Sequence, residues 1–180
     1  MNKKVLLPIA DGVEEVEAIA VVDVLRRANA EVDIVGVTGL QVTTARGIKL
    51  IADKLLNECL NDTYDLIVLP GGMRSAESLR DCPELITMLR AQIQSGRLYA
   101  AICAAPVVIL QHHGLLENKS ATCHPSLYSQ LKNKNTTRIV VDGNCITSQG
   151  PGTALEFAIK LVEMLFDVGT AQKIAQAMVV

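Results

Sequence analysis

Short apolar runs alternate with amphipathic stretches along this chain. Val5 to Ile9 is apolar and stops at Asp11-Gly12, which predicts a first strand and its turn. From Glu14 onward, Ala18, Val21, Val22, Leu25 and Ala28 recur at helical spacing, with Asp23, Arg26 and Arg27 off the stripe. Val32 to Val37 predicts a second strand, ended by Thr38-Gly39. Val42 to Thr44 and Ile48 to Ile51 predict a short hairpin around Arg46-Gly47. Asp65 to Leu69 predicts a third, buried strand stopped by Pro70-Gly71-Gly72. The next helix starts near Pro83, turns Leu85, Met88, Leu89 and Ile93 inward, and ends at Gly96.

Leu98 to Ile102 is a further strand, with a helix over Ala104 to His112 behind it. Segment 114–137 is less regular. Arg138 to Val141 and Cys145 to Thr147 predict a hairpin over Asp142-Gly143-Asn144. A strongly periodic helix follows through Ala154, Phe157, Ala158, Leu161, Val162 and Leu165, with Thr153 and Glu156 at capping-box spacing. Thr170 to Met178 predicts a last short helix.

Parallel strands need crossovers, and helices are the usual crossover, so this alternation predicts an α/β protein. The expected fold is a flavodoxin-like three-layer sandwich with a mostly parallel central sheet, one domain over residues 1–180. Ligands in such folds bind beyond the carboxyl ends of the strands, where strand order reverses. Composition agrees: 49% of residues are hydrophobic but only 3% aromatic, so aliphatic side chains must fill an interior on both faces of the sheet.

A formal net charge of −2 carries no basic footprint for nucleic acid. Asp11, Glu14, Glu15 and Glu17 cut short the N-terminal apolar run, and no run approaches the ~18 residues of a membrane span. A cytoplasmic protein is expected. The five cysteines are widely spaced without a C-x-x-C pair, which predicts reduced thiols rather than a disulfide framework or zinc module. His112 and His113 lack metal-ligand spacing to any Cys or carboxylate, so no metal is expected.

One cysteine stands apart. Cys103 lies in Leu98-Tyr99-Ala100-Ala101-Ile102-Cys103-Ala104-Ala105-Pro106, where a strand meets a helix with only alanines at the join. A chain that turns this sharply projects the intervening side chain outward, as a nucleophile elbow does. The helix N-terminus is expected to stabilise the thiolate and lower its pKa. Two other strand ends open onto the same crevice: Asp11-Gly12-Val13-Glu14-Glu15-Val16-Glu17 and Pro70-Gly71-Gly72-Met73. Gly71-Gly72 lets the backbone approach a ligand, and the N–H groups of Gly72 and Ala104 are candidate oxyanion donors. A carboxyl at the first strand end could share a proton with the sulfur, but periodicity does not choose among Glu14, Glu15 and Glu17. His124, before Pro125, is a candidate proton shuttle.

Together these segments resemble the DJ-1/ThiJ/PfpI superfamily, in particular its DJ-1 and YajL-like branch. The matching pieces run in family order: Gly12 to Glu17, Leu69-Pro70-Gly71-Gly72, Ala100 to Pro106, Thr122-Cys123-His124-Pro125 and Thr147 to Thr153. The resemblance implies that Cys103 is the nucleophile, Glu17 the carboxyl partnered with its sulfur and His124 the nearby histidine. It also implies that Glu14, Gly71, Gly72 and Ala104 line the pocket and oxyanion site, and that Arg46 lies near a homodimer interface. Gln149 stands where many animal members have arginine, so that side chain offers no cationic anion contact. Ala104 occupies the place of the histidine of the PfpI-type proteases, and Pro125-Ser126 after His124 departs from the His-x-Glu unit of class I glutamine amidotransferases. The implied activity is a cofactor-free glyoxalase or protein deglycase acting on methylglyoxal, glyoxal or their early adducts on proteins, releasing lactate or glycolate. The alternative is an oxidative-stress sensor or chaperone that works through oxidation of Cys103.

Overall fold

Alternate side chains of each apolar run enter opposite layers, which is why the runs are apolar at every position. The computed structural model describes residues 3–180. Its strands are β1 (Lys4–Ile9), β2 (Glu31–Gly36), β3 (Gln41–Thr43), β4 (Lys49–Ile51), β5 (Lys54–Leu55), β6 (Leu66–Leu69), β7 (Leu98–Ile102), β8 (Ile139–Asp142) and β9 (Cys145–Ser148). The α-helices are α1 (Glu15–Arg27), α2 (Met73–Arg80), α3 (Pro83–Gln94), α4 (Ala154–Leu165) and α5 (Val168–Met178). Seven strands form one sheet in the order β5-β2-β1-β6-β7-β9-β8, parallel throughout except for the β8–β9 hairpin. The β3–β4 hairpin stands apart as a two-stranded antiparallel sheet.

Val5, Leu7 and Ile9 of β1 pack with α1, α4 and α5 on one face, and Leu6 packs with α2 and α3 on the other. The same alternation holds for Leu66 and Val68 against Ile67 and Leu69 in β6, and for Ala100 and Ile102 against Tyr99 and Ala101 in β7. This is the flavodoxin-like sandwich. Strand order reverses between β1 and β6, because the chain moves outward to β2 and β5 before returning to the other side of β1. Their carboxyl ends, with that of neighbouring β7, therefore define the crevice.

Several local expectations change. Helix α2 follows Gly72 at once; in its polar sequence only Ser75, Ala76 and Leu79 are buried, too narrow a stripe for the periodicity to register. The two-residue edge strand β5 is likewise too short to show a pattern. The helix expected over Ala104–His112 is a π-helical segment, Pro106–Gln111. Thr153 does not form a capping box: its hydroxyl donates to the Gly150 carbonyl and meets Ser148 Oγ at 2.7 Å, while Glu156 pairs with Arg138 at 2.8 Å. Helix α5 begins two residues before the expected Thr170 because Asp167 caps it, accepting from the Thr170 N–H at 2.8 Å.

No helix of the described residues is long and apolar enough to cross a membrane. Phe157, on α4 with no exposed surface, anchors the α1–α4 layer to the sheet. Phe157→Ala should lower unfolding free energy by about 3–5 kcal/mol, measured by urea denaturation.

Candidate active site

The candidate site is assembled from the ends of three strands, tied to one another by main-chain hydrogen bonds. After β1, the Glu14 N–H donates to the Gly71 carbonyl (3.1 Å), joining the β1 and β6 loops. The hairpin is fastened beside them by Gly12 N–H to the Thr43 carbonyl and Ala45 N–H to the Val13 carbonyl, both 2.8 Å. After β7, Cys103 adopts φ 65°, a left-handed conformation that costs a non-glycine residue about 1–3 kcal/mol. Two bonds hold it there: the Cys103 N–H donates to the Ser148 carbonyl at 3.1 Å, and the His124 N–H donates to the Cys103 carbonyl at 2.8 Å. The strand-to-helix elbow is thus real, and it places Cys103 at the border of both cores.

Glu17, in the first turn of α1, is fully buried. Its Oε2 accepts the Gly71 N–H at 2.8 Å, and the Cys103 thiol lies beside the carboxyl across Gly71. Gly71 is packed between the two groups. A methyl at its α-carbon would lie 2.5 Å from both Cys103 Cβ and Glu17 Oε2, and 3.1 Å from Cys103 Sγ. Gly72 has φ 87°, and a side chain there would collide with the Gly12 carbonyl. Its N–H and that of Ala104 lie close enough to the Cys103 sulfur to favour its charged form.

Burial pushes Glu17 up to about 7, with the Gly71 N–H pulling the other way. The expected lowering of the Cys103 thiol is overturned. Burial and the facing Glu17 carboxylate push it up to about 12, outweighing the Gly72 and Ala104 amides. Burial is the larger cause and stays; the part due to the Glu17 carboxylate vanishes when Glu17 holds the proton. Above about pH 7 the pair keeps one proton between them, and a thiolate is favoured only when that proton sits on the carboxyl.

A cavity of about 480 Å³ opens over the sulfur, within the usual range for small-molecule sites. Cys103, Ala104, Gly72, Glu14 and His124 all line it. Gly71 does not line it; its N–H is engaged by Glu17, which leaves Gly72 and Ala104 as the candidate donors toward the cavity. Arg46 also lines the cavity, from the β3–β4 turn, with only a 3.5 Å contact to the Ala45 carbonyl. Sequence reasoning missed Arg74, Ser126 and Leu127. Arg74 follows Gly71-Gly72 by two positions and Ser126 follows His124 by two, so proximity to the motifs was their one signal. Gln149 turns elsewhere, donating to the Tyr128 hydroxyl at 2.6 Å and the Thr136 carbonyl at 2.9 Å. Among the described residues no cluster of three or more His, Cys, Asp or Glu could hold a metal ion.

The family model described as DJ-1/PfpI matches residues 3–164. The chain belongs to the DJ-1/PfpI family. It is 47% identical over 166 residues to Arabidopsis thaliana "Protein DJ-1 homolog B", covering 91% of this chain but 38% of that relative, so it spans well under half of the plant protein. It is 38% identical over 165 residues to Caenorhabditis elegans "Glutathione-independent glyoxalase DJR-1.2", covering 89% and 87% of the two chains. The solved structure "Toxoplasma gondii DJ-1, oxidized" superposes with a TM-score of 0.97 at 43% identity, covering 98% of each chain.

The raised Glu17 also fixes a pH dependence for this DJ-1/PfpI domain. Between about pH 4.5 and pH 7 the folded protein keeps a proton that the unfolded chain has lost. Stability is therefore highest below that window and falls as pH rises through it, by about 3 kcal/mol. Glu17→Gln lacks this loss. Its stability relative to wild type should rise by about that amount between pH 4.5 and about pH 8 in urea unfolding; a pH-independent difference would contradict the assignment.

Proposed function

We propose that this chain is a cofactor-independent cysteine enzyme of the glyoxalase and protein deglycase type. Its substrates are methylglyoxal, glyoxal or their early glycation adducts on proteins. The observation that carries this reading is the buried Glu17 carboxyl packed with Cys103 around Gly71, under a cavity that Gly72 and Ala104 also line. The glyoxalase name of the worm relative points the same way.

The chemistry follows from the pair. With the proton on Glu17, the Cys103 thiolate attacks the aldehyde carbon, forming a C–S bond and an oxyanion that the Gly72 and Ala104 N–H groups receive. Glu17 gives its proton to that oxygen, leaving a neutral hemithioacetal and a carboxylate. The carboxylate then removes the proton from the former aldehyde carbon, and a proton returned to the neighbouring carbon converts the enediol to a 2-hydroxyacyl thioester. Water cleaves the thioester, releasing lactate from methylglyoxal or glycolate from glyoxal and restoring the thiol. No net oxidation occurs, so no redox partner is consumed.

Cys103→Ser should abolish methylglyoxal consumption, and Glu17→Gln should lower kcat by about 10²–10⁴-fold, both measured by loss of dicarbonyl and appearance of lactate. Unchanged turnover in Cys103→Ser would overturn the mechanism. An inactive wild type whose Cys103 is selectively oxidised by mild peroxide would support the sensor reading instead, with protonated Glu17 hydrogen-bonding the oxidised sulfur.

The homodimer is part of the same proposal. Val16 and Ile19 of α1, and Ile48 and Ile51 of the hairpin that carries Arg46, are exposed apolar residues. Sedimentation should give a mass of twice 19.3 kDa, and Ile19→Asp should shift it toward the monomer.

A further inference from the structure

His124 is held at one ring nitrogen only. It precedes a short 3-10 turn, Pro125–Leu127, and its Nδ1 lies 2.8 Å from Ser126 Oγ and 3.3 Å from the Ser126 main-chain nitrogen. A main-chain N–H can only donate, so Nδ1 must present its lone pair. The hydroxyl on the same nitrogen then donates as well. A neutral imidazole with a lone pair at Nδ1 carries its proton at Nε2. Among the described residues Nε2 has no hydrogen-bond partner, and His124 lines the cavity beside Cys103. The main chain beneath the ring is tied to the elbow, the His124 N–H donating to the Cys103 carbonyl at 2.8 Å.

We propose that Ser126 is a positioning residue that fixes His124 as the Nε2–H tautomer, so that the imidazole meets a bound ligand as a hydrogen-bond donor to its oxygen. His124 then does not act as a base, and the His124 shuttle expected from sequence becomes an electrophilic contact. The ligand in this inference rests on the dicarbonyl reading above; the tautomer does not. Ser126 is exposed and belongs to no α-helix or strand, so its replacement leaves the fold intact.

Nitrogen-15 spectra of the imidazole, recorded on the full chain where the ring is neutral, test the assignment. Wild type should show an unprotonated Nδ1 and a protonated Nε2. Ser126→Ala removes the shorter of the two bonds, and should give a mixture of tautomers and a several-fold lower kcat for methylglyoxal with KM little changed. Ser126→Thr should restore both. A protonated Nδ1 in wild type, or Ser126→Ala with unchanged tautomer and kcat, overturns the proposal. The Nε2–H tautomer in a wild type that consumes no dicarbonyl would support the Ser126 assignment while removing the proposed activity.

Discussion

A carboxyl and a thiol buried against one another can bear only one negative charge between them, and the site is organised around that limit. Glu17 comes from the first turn of α1 and Cys103 from the end of β7, so their contact requires β1, β6 and β7 to lie side by side with their carboxyl ends in register. Gly71 between them is the steric condition for the contact, and its N–H is the hydrogen bond that orients the carboxyl. A side chain at that one position would push the Cys103 thiol and the Glu17 carboxyl apart. The two sandwich cores therefore hold two acidic groups at a separation that a flexible peptide would relax by repulsion and hydration.

Strain and polar burial concentrate at the same place. Cys103 is one of few non-glycine residues with positive φ, and its two main-chain bonds reach segments 45 and 21 residues away in sequence. Such over-determination by distant segments lets an unfavourable backbone geometry persist. Glu17 Oε1 is buried without a hydrogen-bond partner among the described residues, which adds to the cost of ionising the carboxyl. Stability is given up here so that the proton stays on the protein near neutral pH.

The fold was largely legible because a sheet covered on both faces leaves continuous apolar runs between amphipathic helices, and both patterns are local. Where the pattern was short or polar it failed. Helix α2 buries only three side chains, and β5 is two residues long. Thr153 and Glu156 have capping-box spacing, yet Ser148, Gly150 and Arg138 claim their side chains, because tertiary partners outcompete a local cap. The elbow at Cys103 was legible from the small residues around it. The state of its thiol was not, since burial and a facing carboxylate reversed the shift that a helix terminus alone would produce.

From sequence alone came the layers of the sandwich, the crevice at the strand ends, and Cys103 at an elbow with a glycine pair and several glutamates nearby. Residue spacing did not choose among Glu14, Glu15 and Glu17, and only the resemblance to a family separated them. The tertiary structure decided among them on physical grounds: Glu14 reaches the cavity, Glu15 is buried without a hydrogen-bonding partner for its carboxylate among the described residues, and Glu17 meets Gly71 and Cys103. Those partners lie 54 and 86 residues further along the chain. Hydrophobic periodicity records which face of an element is buried, whereas the partner it is buried against depends on how distant elements close together.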